Sequence, residues 1–403
     1  MPIKYSYNTH ESWWLSPSSL FDGYVWQHDI AFKISHDTIT TIAPKCTIPT
    51  DDPIMTTDLI ACPGYVDLQV NGGGGVMFNN EPSPAGLQTI GRAHLKYGTT
   101  SFLPTFITDT SDKLDLAADA VIKTIGQHGV IGMHIEGPHI NMLRKGTHNG
   151  EFIRPFDERT LATLERLRTN KVPTMITLAP ECLPDFTIIA LLVAMGVVVS
   201  AGHTDANGEQ IRTALHQGLS CFTHLHNAMT PMTSREPGVV GMALASHAWC
   251  GIVCDGYHVC DTSLAVSIHA KEKSQRMFIV SDAMSTVGGP SSFILYGEEI
   301  FVKDGRLINR QGSLAGAHIT MAQSVHHLIS QLGLAPGQAI AMATSTPADL
   351  LSVANTRIGK ISIGGKANIV LLKKDWSIVQ TICNGQYIDT EKNPNSTPNI
   401  SNT

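Results

Sequence analysis

The chain has 403 residues, of which 42% are hydrophobic and only 15% charged, and its 28 Lys and Arg against 34 Asp and Glu leave a net charge of −6. That balance buries a sizeable core and excludes a disordered or coiled-coil chain, while the length fits one large α/β barrel plus a small appendage. No run of Lys and Arg is present, which argues against a nucleic-acid partner, because binding a phosphate backbone needs clustered cations.

In chain order, the first 62 residues read as β-type, with segments at 23–26, 30–34 and 38–43 and no convincing helix. The N-terminus lacks the basic-then-apolar pattern of a signal peptide. From residue 63, apolar runs predict strands at 64–70, 99–104, 130–136, 172–179, 196–201, 219–224, 251–255 and 277–282. Amphipathic, helix-period segments separate most of them, at 84–97, 114–127, 157–167, 207–216 and 263–270. Strand then helix, eight times over, is the pattern of a (β/α)8 TIM-like barrel in the α/β class. A doubly wound open sheet competes, although no G-x-G-x-x-G follows the first strand to support its dinucleotide-binding form. The apolar stretch 187–199 is too short to cross a bilayer, so no membrane partner is expected. After 354 the pattern returns to β at 363–365, 367–372 and 378–383. The two ends, 1–62 and 355–403, are expected to pair into a small β-sandwich domain against a barrel at 63–354, with a frayed polar tail at 390–403.

Eight cysteines with no C-x-x-C pair suggest neither a disulfide scaffold nor a zinc knuckle. Cys250, Cys254 and Cys260 read as core residues of a buried strand. The chain therefore reads as reduced and cytoplasmic.

In a barrel the C-terminal ends of the strands converge on one face, where polar residues become candidates for a site. Those ends supply Gln69, Asn71, Glu136, Glu181, His203, His224, His226, Asp255 and Asp282. One Glu and two His from three strands form a set that binds a divalent metal and leaves a position for water. An Asp on the last strand suits a general base for that water. His134 competes with Glu136, and His226 with His224, for the inward direction. His203 sits in a small-residue turn that lets backbone approach a ligand, which favours it as one. Gly72–Gly75 reads either as a tight turn or as backbone lining the mouth of a pocket. Residues 288–290 read as a mobile loop, and Arg235 as surface or as a cation suited to a carboxylate or phosphate.

These residues lie in longer strings at 63–75, 134–138, 145–149, 202–204, 223–229, 235–238, 255–259, 281–283 and 314–316, with a returning β-segment at 359–365. In that order the strings resemble the amidohydrolase superfamily and, within it, the N-acetylglucosamine-6-phosphate deacetylase family. The resemblance implies metal-dependent hydrolysis of the acetamide of a sugar phosphate, with Glu136, His203 and His224 as metal ligands and Asp282 as catalytic aspartate. It implies that His148 polarises the amide carbonyl and that Asn227, Ala228, Arg235 and His258 bind the sugar phosphate. Thr147, Asp255, Leu314, Ala315 and Gly316 lie near that site by the same token. It further implies a homodimer in which Arg235 or His258 serves the neighbouring subunit's phosphate. Many amidohydrolases carry His-x-His on the first strand and hold two metals. Here Gln69 and Asn71 replace it, and neutral amides are poor zinc ligands. One divalent metal is therefore expected, Zn2+ first, with Fe2+, Co2+ and Mn2+ left open. The C4-epimeric N-acetylgalactosamine 6-phosphate stays open as the alternative substrate, and a non-catalytic scaffold as the distant one.

Overall fold

The computed structural model describes residues 11–271, 274–351 and 357–388. Eight strands form one all-parallel sheet in sequence order: β1 (Tyr65–Val70), β2 (Thr99–Ile107), β3 (Met133–Glu136), β4 (Thr174–Leu178), β5 (Val198–Ala201), β6 (Cys221–Phe222), β7 (Trp249–Ile252) and β8 (Met277–Ile279). A bridge from Val70 to Ala283, just past β8, brings the last strand round to the first. The (β/α)8 barrel expected from the sequence is therefore present.

Parallel neighbours need a crossover, and helices with readable caps supply it. Ser83 accepts from Gly86 N–H ahead of Pro84–Leu95, Asp157 caps Glu158–Thr169, and Asn207 with Gln210 forms a capping box on Gly208–His216. The stretch read at 187–199 divides into helix Thr187–Ala194 and the start of β5. Inward side chains, including Val66, Leu68, Leu103, Met175, Val253 and Phe278, fill the barrel floor. Phe278→Ala is expected to destabilise the protein by about 3–5 kcal/mol, through lost burial and a cavity, as read by urea unfolding.

Both chain ends contribute to one six-stranded sheet, in which Ile60–Pro63 pairs antiparallel with Ile369–Leu372. Alternation sends Ala61, Ile369 and Leu371 into a sandwich core with Trp13, Leu15, Phe32 and Ile34. Ile60, Cys62, Val370 and Leu372 point the other way, into the barrel's outer core. Strands Ser12–Ser16, Ile30–Ser35, Thr38–Pro44 and Ile54–Thr56 make the second layer.

Several expectations need correction. Residues 363–365 form a turn instead of a strand, with Gly364 at φ +77° and its N–H on the Ile39 carbonyl. Past 288–290 the chain folds into an antiparallel sheet of Ser292–Leu295, Glu298–Lys303 and Arg306–Ile308. Cys250 and Cys254 are buried, but Cys260 is exposed at the start of the helix after β7. The tail at 390–403 lies outside the described residues. No helix among the described residues is long and apolar enough to cross a membrane.

Candidate active site

Three strand ends bring Glu136, His203 and His224 together, and all three are buried. Glu136 Oε1 lies 3.2 Å from His203 Nε2 and 3.0 Å from His224 Nε2, and the two Nε2 atoms are 3.0 Å apart. His203 Nδ1–H donates to the Arg144 carbonyl at 2.8 Å, which leaves a lone pair on Nε2. Ligand atoms about 2.0–2.2 Å from a tetrahedral ion sit a little over 3 Å apart, so this donor set fits a divalent metal. Burial opposes the Glu136 charge, yet His203 and His224 outweigh it and hold the carboxyl well below its usual range. Burial likewise opposes charge on His224, and Glu136 overcomes it and raises the imidazole.

The backbone that aims these groups is unusual. His203, His224 and Asp282 leave their strands at φ +49°, +32° and +50°. Such left-handed residues cost of order 1–3 kcal/mol each and persist only where surroundings fix them. They also explain why β6 and β8 end earlier than predicted, at Phe222 and Ile279, while β5 ends at Ala201 as expected. Ahead of His203, a Cβ on Gly202 would stand 2.8 Å from Thr177 Cγ2 and 2.9 Å from Thr223 Cβ, so glycine is required. Glu181 secures the same turn by accepting from Thr204 Oγ1 at 2.5 Å and Asp205 N–H at 2.6 Å.

Asp282 Oδ1 accepts from Asn71 Nδ2 at 2.7 Å and from Gln69 Nε2 at 3.1 Å. Gln69 Nε2 also stands 3.2 Å from each Glu136 oxygen, so one amide lies between the two carboxylates. Burial, with Glu136 nearby, raises the Asp282 carboxyl. Below Gln69 on β1, Asp67 accepts from Ser281 N–H across the closing seam, and burial pushes its carboxyl up to about 7.

A cavity of about 170 Å³ opens over this centre, and its wall contains Asn71, Glu136, His203, His224 and Asp282. Thr147, His148, Asn227, Ala228, His258, Leu314 and Gly316 complete it among the predicted residues. The His148 ring lies 4.3 Å from that of His203, and burial followed by His203 holds it well below the usual imidazole range. Asp255 stands behind the wall and accepts from His258 Nδ1–H at 2.6 Å, turning the ring's other nitrogen outward. Burial opposes the Asp255 charge, but the His258 ring together with the backbone N–H groups of His258 and Tyr257 lowers the carboxyl. Besides Gln69 and Asp255, two predicted residues are not on the wall. Ala315 points into the cluster beneath the 292–308 sheet, and Arg235 is exposed on the loop before Gly238–Ala245. Larger clefts, such as one of about 660 Å³ beside Tyr257 and His327, hold no converging metal-donor set among the described residues.

The open alternatives resolve by direction. His134 sits one layer deeper in the barrel and bonds Thr177 Oγ1 at 2.7 Å, leaving the mouth to Glu136. His226 points away and bonds Ser267 Oγ at 2.6 Å. Gly72–Gly73 pairs with Val76–Met77 as a tight hairpin, off the cavity wall. Thr108, which contacts His148, was missed by sequence reasoning; only its position one residue past β2 could have marked it.

Residues 60–388 match the Amidohydrolase family. The chain is 39% identical over 329 residues to the N-acetylgalactosamine-6-phosphate deacetylase of Shewanella sp. (strain ANA-3), covering 81% of this chain and 82% of that one. It is 34% identical over 368 residues to the N-acetylglucosamine-6-phosphate deacetylase of Haemophilus influenzae, covering 89% and 94%. The crystal structure of N-acetylglucosamine-6-phosphate deacetylase from Pasteurella multocida superposes with a TM-score of 0.88 at 31% identity, over 94% of this chain and 99% of that one.

Proposed function

The chain belongs to the amidohydrolase family, and from that premise we propose that it hydrolyses N-acetyl-D-glucosamine 6-phosphate to glucosamine 6-phosphate and acetate. The observation that carries this reading is the meeting of Glu136, His203, His224 and Asp282 in one cavity. In our reading Glu136, His203 and His224 hold one divalent metal, Zn2+ first, and Gln69 fills the space where a second would need a ligand. Bound there, the metal supplies a water of lowered pKa and a Lewis acid for the acetyl oxygen.

The chain's residues do the rest. Asp282 takes a proton from water as its oxygen bonds to the acetyl carbon, then gives it to the departing nitrogen as the C–N bond breaks. His148 donates a hydrogen bond to the carbonyl oxygen as it gains charge, a contribution of about 2.7–4 kcal/mol where such donors are fixed. Asn227, Ala228, Thr147 and the 314–316 backbone hold the sugar, and His258, aimed by Asp255, faces its phosphate. Arg235 is exposed and off the wall, so we assign it to the phosphate of a neighbouring subunit in a homodimer. Arg235→Ala is expected to raise KM at least tenfold for the phosphorylated sugar and little for the bare sugar. Equal losses on both would remove its phosphate role.

The Shewanella relative favours a second reading, the C4 epimer N-acetylgalactosamine 6-phosphate as substrate. The deciding experiment measures acetate release from both epimers alongside metal content per chain. Release favouring the glucosamine sugar, with one equivalent of metal, supports the first reading. Release favouring the epimer keeps the chemistry and changes the substrate, and no release from either rejects both.

A further inference from the structure

Donation from His148 to the acetyl oxygen requires its hydrogen on the nitrogen facing substrate. A neutral imidazole carries one hydrogen, and the environment of its two nitrogens decides which holds it. Among the described residues, His148 Nδ1 faces one residue, Thr108. The Thr108 hydroxyl oxygen lies 2.7 Å away and the Thr108 backbone nitrogen 3.4 Å away. The hydroxyl could donate or accept, but the backbone N–H can only donate. A hydrogen on Nδ1 would face the backbone N–H, whereas an unprotonated Nδ1 offers one lone pair that the hydroxyl and the N–H share, so the two donors together favour an accepting Nδ1. The hydroxyl's other acceptor, the Glu136 carbonyl, is at the limit of 3.5 Å.

Thr108 is itself held in place. It is buried, lies one residue beyond β2, and its carbonyl accepts from the Tyr296 hydroxyl of the 292–308 sheet. The space for its own hydroxyl depends on Gly137, at φ +78°, where an added Cβ would stand 2.2 Å from Thr108 Oγ1. We infer that Thr108 is a positioning residue that commits His148 to the tautomer with its hydrogen on Nε2, the nitrogen without a protein partner among the described residues. This rests on the proposed role of His148 in amide hydrolysis.

The test uses the metal-loaded full chain with 15N-labelled histidine, read by long-range 1H–15N correlation, with the His148 signals assigned by their loss in His148→Gln. In the wild type, Nε2 is expected to resonate as a protonated nitrogen and Nδ1 as a hydrogen-bonded acceptor. Thr108→Val keeps the shape and the backbone N–H but removes the short bond. It is expected to move Nδ1 towards the position of a nitrogen without a donor and to lower kcat about 10–100-fold, the usual cost of losing a group that orients a histidine. KM and metal content should stay near wild type. Thr108→Ser should restore both the signature and the rate, which a merely structural role would not require. A wild-type His148 protonated on Nδ1 overturns the inference whatever the variants do, and so does a Thr108→Val that leaves spectrum and kcat unchanged. If no hexosamine phosphate is turned over while the Nε2–H signature depends on the Thr108 hydroxyl, the proposed function fails and the tautomer assignment stands.

Discussion

Asp282→Asn is expected to keep its metal and its fold while turnover falls by about 10²–10⁴-fold, the range that general-base catalysis contributes. The substitution suits the site in every respect but one. Asn adopts a left-handed backbone as readily as Asp, so φ +50° at this position adds no new strain. Its side-chain oxygen still accepts from Asn71 and Gln69, the two groups that hold Oδ1 now. What it lacks is basicity. Burial and Glu136 lift the Asp282 carboxyl towards the working range of a base, and an amide has no such proton affinity. Metal content, thermal melting and kcat measured together separate the possibilities. Near-normal turnover removes Asp282 from the mechanism, and metal loss would place it among the ligands instead.

Much of this site was legible because barrel topology turns sequence position into spatial position. Each strand end reaches the same face, so Glu136, His203, His224 and Asp282 could be collected from separate strands before any contact was known. The helix starts read at 84, 157 and 207 lie within a residue of those observed, where Ser83, Asp157 and Asn207 each satisfy a local backbone demand. Direction at the strand ends was not. Whether His224 or His226 faces inward depends on left-handed backbone at both, φ +32° and +79°, and nothing local distinguishes two non-glycine residues so placed. Some misses were readable. Tyr296–Gly297 and Asp304–Gly305 both have positive φ at each residue, the pattern of tight hairpin turns, and together they build the sheet unread after 288–290. The Thr108–His148 contact spans 40 residues and two loops, and no pattern along the chain encodes it.

Glu136→Gln should have the opposite signature to Asp282→Asn, with loss of the metal as the primary event. Glu136 is the only anion among the three proposed ligands, and its Oε1 stands within 3.2 Å of both imidazole nitrogens. An amide there loses the charge that attracts a cation. With its NH2 group in the place of Oε1, it would hydrogen-bond the two imidazoles and close the donor set. Gln69 Nε2 is 3.2 Å from both oxygen positions, so in either orientation the new NH2 also faces the NH2 of Gln69, two donors without an acceptor. Either arrangement is expected to drop metal content from one equivalent to near zero after dialysis, with acetate release falling in step. The thermal signature should follow. A metal held at 100–1,000 times its Kd stabilises a folded protein by about 2.7–4.1 kcal/mol, so added Zn2+ should raise Tm for the wild type and not for Glu136→Gln. Full occupancy in the variant would show that the ion sits elsewhere. Two equivalents in the wild type would show that Gln69, lying between Glu136 and Asp282, does not keep a second cation out.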